Sequence, residues 1–384
     1  MIAVILAAGQ GTRMRSGQAK VLHRVAGRPL VEHVVRACAE AGAERQIVVI
    51  GHDREAVREA LRGRPVEFVV QEEQRGTGHA AMMAEPLLRG VNGEVLVLCG
   101  DVPLIRPETL RSLGEAHRRE GNAATVLTAF FDEPSGYGRI VKGPQGELLR
   151  IVEHRDAAPD EQTIREVNSG TYCFSIPAMF EALKEITPEN SQREFYLTDV
   201  IALLRSRGMR VGAHAAGDPE EVSGVNTPQD LAHAEALYFR RRCSHCRRGA
   251  ASDGAGARVL RRGRHVYLAL AEEPFNSGHC LVVPYRHVRT LEELGIEAAA
   301  EMLDLAGRAE RAMAHAFRPE GYNMGTNTGA VEGEEAYTHL VWHVIPRWCG
   351  DTNFMASIGG TKVLPESIER TYERLRDALA HADA

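Results

Sequence analysis

IAVILAAGQGTRM, residues 2–14, decides how the first half of this chain folds. An apolar run breaks into small residues, then two glycines one residue apart, then Arg13. The run reads as a buried first strand and the glycines as the turn leaving its carboxyl end. Gly9 and Gly11 let the backbone turn tightly and offer N–H groups to phosphate oxygens, and Arg13 adds a fixed cationic fork. The glycine pair alone fits an ordinary strand–helix turn equally well. A dinucleotide fingerprint needs a third glycine where Met14 stands, and a Walker loop needs a Gly-Lys-Ser/Thr sequence that is absent.

Outward from this loop the pattern repeats. QIVVI (46–50), VEFVV (66–70) and EVLVLC (94–99) read as strands, and VEHVVRACAEAG (31–42) and REAVREALRG (54–63) as amphipathic helices. Apolar strands alternating with helices predict a parallel sheet covered on both faces, with ligands at the strands' carboxyl ends. The expected fold is α/β: a Rossmann-like domain over 1–238 and a smaller α+β domain over 239–384. For the second, strands are expected near 265–270, 280–284 and 338–346, with helices near 296–316 and 366–380. Between them lies FRRRCSHCRRGAASDGAGARVLRRGR (239–264). Its composition suits a solvated linker better than a nucleic-acid patch.

Composition narrows the function classes. The 384 residues carry 46 basic and 52 acidic side chains, a formal charge of −6, which gives no general case for nucleic-acid binding. No apolar run reaches membrane-spanning length, and the first strand, ending at Gly9 without preceding basic residues, does not read as a signal peptide. Seven cysteines, an odd number and mostly scattered, argue against a disulfide framework. A cytoplasmic protein is expected.

The segment LAAGQGTRMRSGQAKVLHRVAGRPLVEHV (6–34) resembles the opening of sugar-nucleotide pyrophosphorylases, specifically the uridylyltransferase domain of bacterial N-acetylglucosamine-1-phosphate uridylyltransferases. The resemblance continues in order through VVQEEQRGTGHA (69–80), LCGDVPLI (98–105), SGYGRIV (135–141), IVEHRDA (151–157), VNSGTY (167–172), EFYLTDVI (194–201) and EVSGVNTPQDL (221–231). It implies that Ala8, Gly9 and Gly11 hold nucleotide, with the catalytic cations Arg13 and Lys20 on its phosphates. It places Gln71, Gly76 and Thr77 at the uracil, Mg²⁺ on Asp101 and Asn226, and the amino sugar on Gly138, Glu153 and Asn168. The implied reaction is in-line attack of a sugar 1-phosphate oxygen on the α-phosphorus of UTP, with pyrophosphate leaving. Positioning and charge neutralisation carry such chemistry, and Mg²⁺ suits one carboxylate, an amide and phosphates. Taken singly, Asp101 also reads as a helix cap and Glu153 as a surface charge. Two positions depart from the family: Ala19 replaces a proline, which should loosen the loop, and Cys99 replaces a frequent tyrosine, which touches sugar or base choice. Another sugar 1-phosphate or nucleotide therefore stays open. The family's β-helical acetyltransferase half has no hexapeptide repeat here, so acetyl transfer is not expected.

The second half resembles the histidine-triad superfamily through CSHC (243–246), EEPFNSGHCLVVPYRHV (272–288), GYNMGTNTGAVEG (321–333), THLVWHVIPRW (338–348) and GDTNF (350–354). On a strand, His339, Val341 and His343 share one face. In the family the middle position is the histidine that takes the nucleotidyl group. Valine has no lone pair, so covalent hydrolysis is not expected, with residual dinucleoside polyphosphate hydrolysis as the rival. Cys243, Cys246, His287 and His339 match a structural zinc set, although a C-x-x-C pair also fits a turn or a redox pair. His245, inside that pair, is expected in solvent. Asn276, His279, Asn327 and His343 edge the implied pocket for an adenine nucleotide; the asparagines also suit turns. The resemblance further implies a homo-oligomer.

Overall fold

The computed structural model describes residues 1–14, 16–252, 257–327, 339–351 and 367–382. The chain divides into two compact units, Met1–Ala234 and Glu235–Ala384. The division falls inside the helix Pro228–Arg242, four residues before the expected boundary.

The first unit is built on a mixed sheet. Strands Glu67–Val70, Arg45–Ile50, Ile2–Ala7 and Glu94–Cys99 lie side by side and parallel. The next strand, Glu166–Ser175, runs antiparallel to its neighbours Glu94–Cys99 and Ala124–Phe130, and Val211–Ala215 closes the far edge parallel to the latter. The all-parallel expectation is thus corrected. The reversing strand, EVNSGTYCFS, is interrupted by Asn, Ser, Gly and Thr, so it does not stand out as an apolar run and was not among the expected strands. Alternate residues feed opposite faces. Val4, Val49 and Val97 pack under the helices Ile176–Leu183 and Asp199–Ser206, while Ile5, Ile50 and Leu98 pack under Leu30–Glu40 and Pro107–Glu120. A hairpin, Arg139–Lys142 with Leu148–Val152, is attached through Val167.

Ile2–Ala7 and Glu94–Cys99 adjoin at the centre, and the chain leaves them in opposite directions across the sheet. Their carboxyl ends therefore form a switch point, where an open α/β sheet leaves a crevice.

The second unit holds a five-stranded antiparallel sheet in the order Val259–Arg262, Val266–Leu270, Cys280–Pro284, Trp342–Arg347, Gly321–Thr326. The helices Ile296–Phe317 and Ile368–Ala382 cover one face, burying Leu268, Val282, Val344, Met302 and Met313. Val341 sits on the other face, buried with Tyr267, Leu281 and Val283. The basic stretch is not a solvated linker. Its described residues include the helix Ser244–Ala250 and the strand Val259–Arg262. Arg248 is buried and donates to the carbonyls of Ala257, Arg258 and Leu270 (3.3 Å to Arg258). Arg262 likewise donates to the carbonyls of Gly249 and Ala251 at 2.7 and 2.6 Å. Arginine-rich composition looked solvated because it does not reveal that guanidinium forks satisfy backbone oxygens.

Candidate functional sites

In the first unit a cleft of about 530 Å³ opens at the switch point. Ala8, Gly9, Gly11, Lys20, Gln71, Gly76, Thr77 and Asp101 all line it. The two loop glycines differ. Gly11 has φ +68°, and a Cβ there would meet the Cβ of Lys20 at 2.4 Å. Gly9 has open space and no positive φ, so the turn itself requires only Gly11. Met14, in the place of a third glycine, is buried, its N–H bonded to the Gly11 carbonyl at 2.9 Å. Ala19 is not a loose replacement for proline. Its φ of −56° lies in proline's range, and its N–H donates to Asp53 Oδ2 at 2.6 Å, a bond that proline could not make.

Lys20, Asp101, Asn226 and Arg13 converge. The Lys20 ammonium pairs closely with Asp101 Oδ2 and reaches Asn226 Oδ1 at 3.1 Å. Arg13 donates to the same Asn226 oxygen at 2.8 Å. Asp101 and Asn226 are held together by the backbone, Val225 N–H to Asp101 O at 2.9 Å. Behind Asn226, Thr227 and Asp230 form a reciprocal cap on the helix Pro228–Arg242. Asp101 is not a helix cap: the helix that follows starts at Pro107 with Arg106 at its cap. Two side-chain oxygens from distant segments thus lie within reach of a single cationic atom. That arrangement fits a hard divalent cation with remaining positions open to phosphate.

Gly138, Glu153 and Asn168 also come together. A Cβ on Gly138 would lie 3.5 Å from both Asn168 Cβ and Glu153 Oε2. Glu153 is not a solvated surface charge; burial pushes its carboxyl above the ordinary range, and the Thr198 hydroxyl donates to it at 3.0 Å. Asn168 is buried at a break in strand register, donating to Tyr172 Oη at 2.7 Å and accepting from Gly170 N–H at 3.0 Å. Cys99 lines the cleft, with its Sγ 3.7 Å from the Gly170 carbonyl; burial, then Asp101, pushes the thiol up to about 12. Gln10, Gln74 and Glu194 line the cleft as well and were not singled out in the sequence, where exposed polar loop residues carry no distinguishing signal. Thr198, adjacent to Glu153 only in space, was missed for a related reason.

In the second unit Cys243, Cys246, His287 and His339 offer ligand atoms all within 4.8 Å of one another. His339 Nδ1 lies 3.4 Å from Cys243 Sγ and 3.5 Å from Cys246 Sγ; His287 Nδ1 lies 3.3 Å from Cys246 Sγ. A tetrahedral zinc with ordinary bond lengths has sulfur–nitrogen edges of about 3.5 Å, so the four atoms fit that ion. The hydrogen bond from Cys246, then both imidazoles, holds the Cys243 thiol below its ordinary range, while the same bond to Cys243 pushes Cys246 up. Phe239 stacks on His287 at 3.5 Å. His245 is half-buried, edge-on to His339 at 5.8 Å, and outside the ligand set; the expectation of solvent exposure is corrected.

His343 lies one register step beyond Val341 on the same face, opposite Leu281. Phe275 N–H donates to His279 Nδ1 at 3.2 Å, so the His279 proton rests on Nε2 and points to His343 Nδ1 at 3.0 Å. Asn276 donates to Pro346 O and Asp351 Oδ2, both at 3.0 Å, bracing the end of the strand. Asn327 is exposed just past Gly321–Thr326, and the GAVEG part of its motif lies outside the described residues.

A third cluster, Glu94, His117 and Cys173, also has metal-ligand geometry. Arg118 already pairs with Glu94, and Thr125 Oγ1 engages His117 Nδ1 at 3.0 Å, so its charge and one ring nitrogen are already committed.

Residues 3–312 match the MobA-like NTP transferase domain model, which is most of the chain. The chain belongs to that family. Three bacterial relatives named "Bifunctional protein GlmU" align with its N-terminal part. That of Exiguobacterium sibiricum is 50% identical over 243 residues, 63% of this chain and 54% of the relative. That of Heliobacterium modesticaldum is 52% identical over 235 residues, and that of Streptococcus gordonii 51% over 239. The chain spans about half the length of these relatives, and about half identity makes its N-terminal nucleotidyltransferase domain homologous to theirs. A solved UDP-glucose pyrophosphorylase in complex with UDP-glucose superposes with a TM-score of 0.52 at 21% identity, covering 63% of this chain and all of the other. That likeness concerns the fold, an α/β nucleotidyltransferase. No helix among the described residues is long and apolar enough to cross a membrane.

Proposed function

We propose that the first unit transfers the uridylyl group of UTP to N-acetylglucosamine 1-phosphate, giving UDP-N-acetylglucosamine and pyrophosphate. The observation that carries this reading is the convergence of Lys20, Arg13, Asp101 and Asn226 at the switch point, beside the glycine loop. Half-identity to the bifunctional relatives supports the substrate pair. Asp101 and Asn226 would hold Mg²⁺, which supplies neutralisation of the triphosphate when bound. Lys20 and Arg13, freed from those oxygens, would turn to the phosphates and stabilise charge growing on the transferring group and on pyrophosphate. Gly11 keeps the loop close enough to Lys20 for both to face one phosphate chain. Gln71, Gly76 and Thr77 would take the base. Glu153, with Gly138 and Asn168, would bind sugar hydroxyls. Cys99 at the cleft wall keeps a second reading alive, in which a different sugar 1-phosphate is preferred.

The second unit is read as a histidine-triad module without its nucleophile, stapled by zinc on Cys243, Cys246, His287 and His339. Val341 is packed in an apolar cluster, and the tautomer set by Phe275 and His279 leaves a neutral His343 with its proton on Nε2, a donor and not a nucleophile. Binding of an adenine nucleotide without cleavage, self-association and a cytoplasmic location complete the proposal. The test is pyrophosphate release across UTP, dTTP, CTP and GTP, each with several sugar 1-phosphates. Highest turnover is expected for UTP with N-acetylglucosamine 1-phosphate, and absence of release with that pair refutes the proposal.

A further inference from the structure

Gln71 is buried at the floor of the cleft, and both hydrogens of its side-chain amide are in use. Nε2 lies 3.2 Å from the Gly76 carbonyl and 2.9 Å from His79 Nδ1. A carbonyl oxygen only accepts, so the atom facing Gly76 must be the amide nitrogen. The His79 contact then requires an unprotonated Nδ1, with the ring proton on Nε2. With both N–H groups consumed, the amide has only its oxygen to offer a base.

We propose that His79 is a specificity-determining positioning residue: it holds the Gln71 amide so that the cleft presents an acceptor, admitting pyrimidines with an N–H at position 3 and disfavouring cytosine. The assignment rests on the reading of this cleft as a uridylyl donor site. Uracil and thymine carry that N–H, whereas cytosine has a bare N3 acceptor, which would face the Gln71 oxygen lone pair to lone pair. The surroundings are built for this orientation. Gly76 has φ +109°, and a Cβ there would lie 2.6 Å from the Phe195 carbonyl, so its carbonyl direction is fixed by contacts that only glycine permits. His79 is half-buried, with its ring 6.3 Å from that of Phe195. The charged groups acting on it are Arg75 and Glu73, on the loop preceding its helix Thr77–Met82, while Glu194 lies on the segment packed against Gly76. Burial, then Arg75, lowers the His79 pKa below the usual imidazole value, against a smaller opposing effect of Glu73. The neutral, accepting form therefore prevails at neutral pH and is lost only in more acidic solution.

The test uses the full chain with Mg²⁺ and compares UTP with CTP, both by calorimetric binding and by the KM and kcat of pyrophosphate release. His79→Leu should raise Kd and KM for UTP about tenfold, the size of one lost hydrogen bond, with kcat little changed, and cut the UTP-over-CTP preference by a similar factor. His79→Asn, whose oxygen can replace Nδ1, should keep the preference and flatten its pH dependence. In the wild type the preference should fall as pH drops below the imidazole range. Equal preference in the wild type and His79→Leu, or no wild-type preference in binding, overturns the assignment. Binding preference that His79→Leu erases, in a protein showing no turnover with any sugar 1-phosphate, upholds the role of His79 while rejecting the proposed transfer.

Discussion

The two units place polar clusters beside sheets, and they differ in what occupies the decisive position. In the first, the position between Asp101 and Asn226 is filled by the ammonium of Lys20, and both Asp101 Oδ2 and Asn226 Oδ1 have a cation beside them. In the second, the central position of the histidine row is Val341, buried among Tyr267, Leu281 and Val283. One cluster brings two cations, a carboxylate and an amide oxygen to a single point. The other has a set of two thiols and two imidazoles with metal-ligand geometry, but apolar packing at the position between His339 and His343. A sequence motif carries its chemistry only where the reacting atom is present.

The contrast can be broken at its strongest point by Asp101→Asn. Removing one charge from the cation site should lower pyrophosphate release about 10³-fold with little change in melting temperature. A loss under tenfold would mean that the cluster is not the catalytic centre. Cys246→Ser comes next. Metal analysis should find one zinc per chain in the wild type and none in the variant, and the second unit should be destabilised by several kcal/mol, since structural zinc contributes about 10 kcal/mol or more of binding free energy. Transfer by the first unit should be unchanged. Val341→His should cost about 1–3 kcal/mol, because an imidazole replaces a packed valine. It should also bring dinucleoside polyphosphate cleavage above background if the nucleophile is all that is missing. The smallest effect concerns Glu153. Its raised pKa means that protonation, and with it a rise in KM for the sugar 1-phosphate, begins at higher pH than for an ordinary carboxylate. Glu153→Gln should have a flat profile over the same range.

Much of this was legible in the sequence because apolar periodicity follows burial directly. The strands at 2–7, 45–50, 67–70 and 94–99 and the helices after 30 and 54 fall within a few residues of their expected places. Glu166–Ser175, whose polar and glycine residues break any apolar run, was not expected as a strand, so the reversal of the sheet went unseen. The edge strand Gly321–Thr326 was missed because its glycines and exposed residues carry no apolar alternation. Contact across sequence distance was likewise hidden. Asp101 with Asn226 was available through resemblance, but the Ala19–Asp53 bond, Thr198 on Glu153 and His79 on Gln71 depend on which segments meet in space.

The most direct test puts both units in competition in one tube. The full chain with Mg²⁺ is given UTP, N-acetylglucosamine 1-phosphate and diadenosine tetraphosphate, and phosphorus NMR follows all species. UDP-N-acetylglucosamine and pyrophosphate should appear in equal amounts while the dinucleotide stays intact. Cleavage of the dinucleotide, or no pyrophosphate from UTP, would contradict the proposed function.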